Sequence, residues 1–230
     1  NRAGVPIARY FLGIDSTLEP DTYRLAVMGE PCCRVSVRDG SYRSVEIPLS
    51  SSLTTLRRGY DPRKVEESRE LTRIVLSRDP EAVYHTGPLR WPMPEQTRQS
   101  ALFGDRRTYL YANGERATTV HVGLDLAAPV GSPITSSGDG IVRLAKPRIV
   151  TGNTVVIEHL PGLFSLYYHL DEISVTRGQR VSGGEEIGTV GATGLATGPH
   201  LHWEIRVGGV PVAPDRASGE PLVEDAIRLP

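Results

Sequence analysis

Short apolar–polar alternations dominate this chain, and one central stretch breaks them. Val5 to Ile14, Tyr23 to Met28, Arg34 to Val37 and Tyr42 to Leu49 are β-rich runs separated by turn residues. Val35 and Val37 alternate with polar neighbours, Asp39-Gly40 supplies a hairpin signal, and Val45 and Ile47 alternate again. The pattern predicts a small immunoglobulin-like β-sandwich over residues 1–60. Asp61 is a good N-cap, and Pro62 suits a first helical position, where its missing N–H is not needed. A helix is expected from Pro62 to about Ser77, with Leu71, Ile74 and Val75 on its apolar face and Asp79-Pro80 ending it. From Pro80 to about Gln99 the chain is rich in proline and polar residues, including Trp91-Pro92-Met93-Pro94, and reads as an arm laid over a surface. Residues 61–99 therefore read as a connection. After residue 100 the strand signals return at Val120–Leu126, Gly140–Leu144, Thr154–His159, Ser165–His169, Glu186–Val190 and His200–Val207. Gly, Pro, Asp or Asn punctuates nearly every gap. The fold class is all-β, with residues 100–230 a second domain of antiparallel hairpins.

Composition narrows the picture. Hydrophobic residues make up 39% and charged residues 23%, which excludes a disordered tail and leaves material for a sizeable core. With 26 Lys+Arg against 27 Asp+Glu there is no basic excess, so no nucleic-acid partner is expected. No apolar run approaches the roughly 18 residues that a membrane helix needs. The chain starts at Asn1 and not at Met, compatible with a removed signal peptide or a trimmed sequence. Cys32 and Cys33 are adjacent, unsuited to a mutual disulfide or to a zinc site of spaced ligands, and are expected to be small semi-buried side chains.

Of the six histidines, all but His85 lie between residues 121 and 202. Such clustering in a β domain prompts a metal hypothesis. His121 and Asp125 form H-x-x-x-D, which on one strand puts both side chains on the same face. His200 and His202 flank Leu201 and again share a face if extended. Either pattern alone is weak. Together, His121, Asp125 and one of His200 or His202 make a His₂Asp set, the kind of three-ligand group that leaves zinc a fourth position for water. The remaining histidines then have a use as proton carriers or oxyanion stabilisers. Gly183, Gly184, Gly188, Gly191, Gly194 and Gly198 precede this last segment and allow close backbone approach. No Gly-Lys-Ser/Thr follows them, which argues against a phosphate loop.

His121-Val-Gly-Leu-Asp125, Tyr168-His169-Leu170 and Thr197-Gly198-Pro199-His200-Leu201-His202-Trp203-Glu204 follow one another in order along the second half of the chain. Together they resemble the motifs of the lysostaphin/LytM-type zinc endopeptidases, which hydrolyse peptidoglycan, the first of them their H-x-G-x-D segment. Gly152-Asn153 through His159 is similar to their central hairpin, and Tyr168-His169-Leu170 to their Y-H-L segment. Thr197-Gly198-Pro199-His200-Leu201-His202-Trp203-Glu204 resembles their final motif almost letter for letter. Phe103-Gly104 to Arg107 resembles their entry segment, so the likeness spans about residues 100 to 215.

The resemblance implies one Zn²⁺ held by His121, Asp125 and His202, with His169 and His200 as catalytic histidines beside it. It implies hydrolysis of peptide bonds in peptidoglycan stems or cross-links, by a protein exported to the periplasm or cell envelope. The expected partners are peptidoglycan peptides and, for the N-terminal module, cell-envelope proteins. The alternative is a catalytically silent or autoinhibited regulator of other wall hydrolases with the same fold, its groove covered by the arm or the N-terminal module. A third reading, a carbohydrate- or protein-binding β protein with incidental histidines, does not account for the ordered motifs. His159 is expected at a hairpin end or groove rim and His85 at the surface, while Asn153, Thr193 and Tyr168 are candidates to line the groove. Arg106, Arg107 and Arg143 could meet an acidic substrate, although scattered arginines are usually solvated surface.

Overall fold

The computed structural model describes residues 13–27 and 30–219, which form three sheets and three helices. Strands β1 (Asp21–Val27) and β2 (Glu30–Val37) make an antiparallel hairpin. Then come β3 (Ser44–Pro48), α1 (Ser51–Arg58) and α2 (Pro62–Val75). The remaining strands are β4 (Arg98–Ala101), β5 (Arg106–Leu110), β6 (Arg116–Val120), β7 (Leu124–Ala127), β8 (Pro133–Thr135) and β9 (Gly140–Arg148). They continue as β10 (Gly152–Leu160), β11 (Leu163–Ile173), β12 (Arg180–Val181), β13 (Glu186–Val190), β14 (Leu201–Val207) and β15 (Val210–Val212), before the short α3 (Pro214–Ala217). The main sheet is antiparallel and runs β12-β9-β10-β11-β14-β7-β4, with β13 on β11, β8 on β13 and β15 on β14. The all-β expectation therefore holds, and the strands expected after residue 100 match observed ones except Val120–Leu126, which a turn at residues 121–123 divides between β6 and β7.

The sheet is covered on both faces, which explains why β10 and β11 are almost continuously buried. Val155, Ile157 and Tyr167 point into the larger core with Trp203, Leu126 and Ile134. Val156, Phe164, Leu166 and Tyr168 point to the other face, where they meet Leu71, Ile74 and Val75 of α2. Helix α2 starts where the Asp61-Pro62 pair places it, the Asp61 carboxylate accepting from Arg63 N–H at 2.9 Å. No helix of the described residues is long and apolar enough to cross a membrane.

The N-terminal part departs from expectation. Among the described residues no immunoglobulin-like sandwich forms within residues 1–60, and the Val5–Ile14 run lies almost wholly outside them. No hairpin closes at Asp39-Gly40, because β2 pairs with β1 while β3 runs parallel to β5, Ile47 beside Tyr109. The reason is burial. The β1–β2 hairpin is mostly exposed and offers little cover, whereas against β5 Ile47 becomes half-buried and Leu49 just beyond β3 is buried. Residues 51–58 form an unexpected helix from a Ser/Thr-rich segment, started by Ser50, whose hydroxyl accepts from Leu53 N–H at 3.2 Å. The β3-β5-β6 sheet thus straddles the expected boundary at residue 60.

The proline-rich arm is less superficial than its composition suggested. Ala82, Leu89 and Met93 are buried, and the Trp91 ring lies 5.6 Å from that of Trp203. Cys32 and Cys33 are exposed rather than semi-buried, because their strand has cover on neither face.

Candidate metal centre and groove

Adjacent strands bring two of the clustered residues together. Asp125 on β7 sits directly opposite His202 on β14, and His202 is opposite Tyr168 on β11. His121 is not on the strand with Asp125, as alternation had suggested. It lies in the turn between β6 and β7, where the chain passes from the small sheet to the large one. Gly123 makes that turn possible, since a Cβ there would stand 2.6 Å from the Trp203 carbonyl oxygen and 2.8 Å from the His202 ring. This is a physical reason for glycine at the centre of the H-x-G-x-D segment.

Three atoms converge. His121 Nε2 lies 3.0 Å from Asp125 Oδ1 and 3.0 Å from His202 Nδ1, and the last two are 2.7 Å apart. All three residues are buried. The far nitrogen of each ring is already engaged: His121 Nδ1–H donates to the Leu102 carbonyl at 2.8 Å, and His202 Nε2–H donates to Glu204 Oε1 at 3.0 Å. Those acceptors assign the tautomers and leave lone pairs aimed at one point. Lone pairs so placed require a positive charge among them. A proton is one solution: burial opposes it, but hydrogen bonds and attraction from Asp125 and Glu204 lift His202 to about 9. Burial likewise works against the Asp125 charge, and its histidine neighbours hold it well below the usual carboxylate range. A metal cation is the other solution, and the three residues could hold one.

A second layer fixes this cluster. Arg107 donates to Asp125 Oδ2. Glu204 is bound in turn by Arg206 at 2.7 Å, so His202, Glu204 and Arg206 form a chain along one face of β14. The Tyr168 ring stacks on His202, centroids 5.3 Å apart and 7° from parallel. In the sequence Glu204 stands only as part of a motif, and Arg107 is left between an acidic substrate and solvated surface; its observed partner is Asp125. The period-two pattern H-x-E-x-R was the available signal for the buried chain.

His169 and His200 stand beside the cluster, their rings 4.9 Å apart. His169 is the one non-glycine residue with positive φ among the described residues, at 63°. It occupies a β-bulge: Asn153 pairs with Leu170 and Val155 with Tyr167, so Thr154 faces both Tyr168 and His169. A left-handed non-glycine residue costs of order 1–3 kcal/mol and marks a constrained position. The ring is held by Nδ1–H donation to the Thr193 carbonyl at 2.8 Å. That carbonyl is placed by Gly152 and Gly194, where added Cβ atoms would come 2.4 Å from Thr193 O and Gly152 N respectively. Burial, helped by His200 and His202, pushes His169 down to about 3, leaving a neutral ring with Nε2 free of protons. His200 Nδ1–H donates to the Gly198 carbonyl at 2.8 Å, and its Nε2 is 3.8 Å from Asp125 Oδ2.

These groups sit at one end of a groove of about 240 Å³. One wall is the β3-β5-β6 sheet with α1, contributing Ile47, Tyr109, Thr119 and Arg57. Val150, Thr151, Leu195 and Thr197 line it as well. Tyr168 lines the groove, while Asn153 and Thr193 support it from behind. His159 is neither at a rim nor in the groove. It is fully buried, donating Nδ1–H to the Asp139 carbonyl at 2.8 Å and accepting from the Ser165 hydroxyl at Nε2, 2.7 Å. His85 is partly buried beside it, ring centroids 6.2 Å apart. Arg143 pairs with Glu158 and Arg106 lies over the Tyr42 ring, so neither lines the groove.

Comparison with known proteins places this geometry. Residues 119–214, which include all five clustered residues, match the model of Peptidase family M23. The peptidoglycan DD-endopeptidase ShyA of Vibrio cholerae is 42% identical over 123 residues, covering 54% of this chain and 28% of that protein. The chain therefore spans less than a third of that relative's length. A solved structure from Pseudomonas aeruginosa, assigned to peptidase M23, matches with a TM-score of 0.67 at 28% identity, over 91% of this chain and 78% of that one. A zinc containing peptidase from Vibrio cholerae matches with a TM-score of 0.52 at 37% identity, over 60% of this chain and 41% of that one. The converging His121, Asp125 and His202 all lie inside the matched segment, so residues 119–214 are the part of the chain that matches peptidase family M23.

Proposed function

We propose that the protein is a zinc-dependent endopeptidase that hydrolyses peptide bonds in bacterial peptidoglycan, and that it works outside the cytoplasmic membrane, where that substrate lies. The observation that carries this reading is the set of three buried donor atoms within 3.0 Å of one another, with two further histidines beside them in an open groove. Their separations come close to the roughly 3.3 Å edge set by a tetrahedral ion with bonds of about 2.0 Å. His121, Asp125 and His202 are the ligands in this reading. Zinc supplies polarisation of the scissile carbonyl and activation of water near neutral pH. His169 and His200 share the proton work: one accepts a proton at Nε2 from the attacking water and passes it to the leaving amine, and the other, when it carries a second proton at Nε2, donates a hydrogen bond to the oxyanion. The name of ShyA supports the substrate class.

A silent regulator would need a defective or covered site. The donor set is complete, and no residue of the 80–99 arm lines the groove. The test is mass spectrometry of muropeptides before and after incubation of purified peptidoglycan with the zinc-loaded protein. Cleaved stems or cross-links are expected, and none with His202→Ala. An unchanged muropeptide profile with the zinc-loaded protein overturns the reading.

A further inference from the structure

The charged side chains lining the groove, besides the histidines, are Arg57, Arg107, Asp125 and Glu204. Three of them are spoken for: Arg107 binds Asp125, and Glu204 binds His202 and Arg206. Arg57 is different. Its Nε–H donates to the Tyr111 hydroxyl at 3.0 Å, and its guanidinium carbon lies 3.9 Å above the centre of the Tyr109 ring. Its two terminal nitrogens make no hydrogen bond, and no carboxylate pairs with it, among the described residues. Neighbouring arginines show the contrast, since Arg43, Arg58 and Arg116 pair with Asp105, Glu115 and Glu46. A guanidinium held over an aromatic face and fixed at Nε keeps the outer edge, with its paired N–H groups, in a set orientation. That edge matches both oxygens of a carboxylate.

We propose that Arg57, held by Tyr109 and Tyr111, is a specificity-determining residue that binds a free carboxylate of the peptide lying in the groove. The inference rests on the endopeptidase reading and deepens it. It gives α1 and β3, contributed by the N-terminal part of the chain, a share in substrate choice. It also gives a use to a cation that lies in a substrate groove with no counter-ion among the described residues.

The experiment measures calorimetric binding and kcat/KM for stem peptides from purified peptidoglycan, and for the same peptides with their carboxylates converted one at a time to carboxamides. The zinc-loaded protein is compared with Arg57→Gln, Arg57→Lys and, as a control for charge on the same helix, Arg58→Gln. One carboxamide is expected to bind roughly 10–100-fold more weakly than its carboxylate, the range of a charge-assisted hydrogen bond. Arg57→Gln should abolish that difference, with the loss in KM rather than kcat. Arg57→Lys should keep only part of it, since a point charge lacks the fork, and Arg58→Gln should keep all of it. Equal binding of every carboxylate and carboxamide by the unsubstituted protein, or discrimination surviving in Arg57→Gln, overturns the proposal. Cleavage without discrimination sinks the proposal and leaves the endopeptidase reading standing. Carboxylate-dependent binding that Arg57→Gln removes, with no cleavage of any peptide, supports the proposal and sinks the endopeptidase reading.

Discussion

Arg107 grips Asp125 by the carboxylate oxygen that faces away from the two histidines. The pairing leaves Oδ1 free for the cluster and stops the carboxylate rotating. Partners of this kind typically matter roughly 10- to 100-fold to metal affinity. Arg107→Ala should therefore weaken zinc binding by about that factor, read by competition with a chelator, with Arg107→Lys in between. Affinity unchanged in Arg107→Ala would mean that the β7–β14 pairing alone orients Asp125.

The proposed division between ligands and proton carriers predicts two phenotypes. His202→Ala should lose zinc and activity together. For His169 the better variant is Asn, which tolerates the left-handed backbone the bulge demands. His169→Asn should keep most of its zinc and lose about 10²- to 10⁴-fold in kcat. Metal content by atomic spectroscopy, beside peptide turnover, checks both. An empty metal site in His169→Asn would contradict the assignment.

His159 makes a prediction about acid stability. Burial drives it down to about 4, partly offset by the Asp139 carbonyl, so it folds as a neutral ring. Unfolded, it titrates near 6.5. Between those values the unfolded chain holds a proton that the folded one lacks, so stability falls as pH drops from about 6.5 to about 4. The full contribution is roughly 3 kcal/mol at 1.36 kcal/mol per pH unit. Urea unfolding of His159→Gln should show a shallower pH dependence in that window than the unsubstituted protein. Identical slopes would mean that His159 does not carry the effect.

Much of the C-terminal half was legible because its strands are short, local and punctuated. Gly152 to Leu160 pairs on both sides with segments close in sequence, so hairpin signals suffice. The histidine clustering was legible in the same stretch, whereas the choice of His121, Asp125 and His202 as ligands, with His169 and His200 beside them, came from the motif resemblance. Long-range choices were not. The pairing of β3 with β5 joins Ile47 to Tyr109 across a long connection, and nothing local in either strand encodes the partner. Helix α1 is built from Ser51, Ser52, Thr54 and Thr55, poor helix formers that tertiary contacts hold in place. Thr54 Oγ1 accepts from Ala112 N–H at 3.0 Å, and Lys64 Nζ donates to the Gly59 carbonyl at 2.6 Å. The roles of Arg107 and Glu204 depend on contacts across strands, so their residue types alone could not assign them.

The same long-range packing decides which truncations leave a folded enzyme. Removing residues 1–98 would take away β3, one strand of the groove wall, and with it Val75, Leu89 and Met93, all buried. Buried aliphatic truncations cost about 2–5 kcal/mol each, and three together approach the whole stability of a typical domain, about 5–15 kcal/mol. This shortened chain should lose its cooperative thermal transition. Removing residues 1–41 instead takes the mostly exposed β1–β2 hairpin and spares β3 together with the Arg43 backbone carbonyl just before it, which accepts from Arg106 N–H at 2.8 Å. It should melt within a few degrees of the full chain, by calorimetry. If the hairpin segment serves to position the enzyme on the wall, the 42–230 protein should cut soluble stem peptides at the full chain's rate and intact wall more slowly. Faster cutting of both substrates would show instead that the segment shades the groove, and equal rates on both would exclude either role.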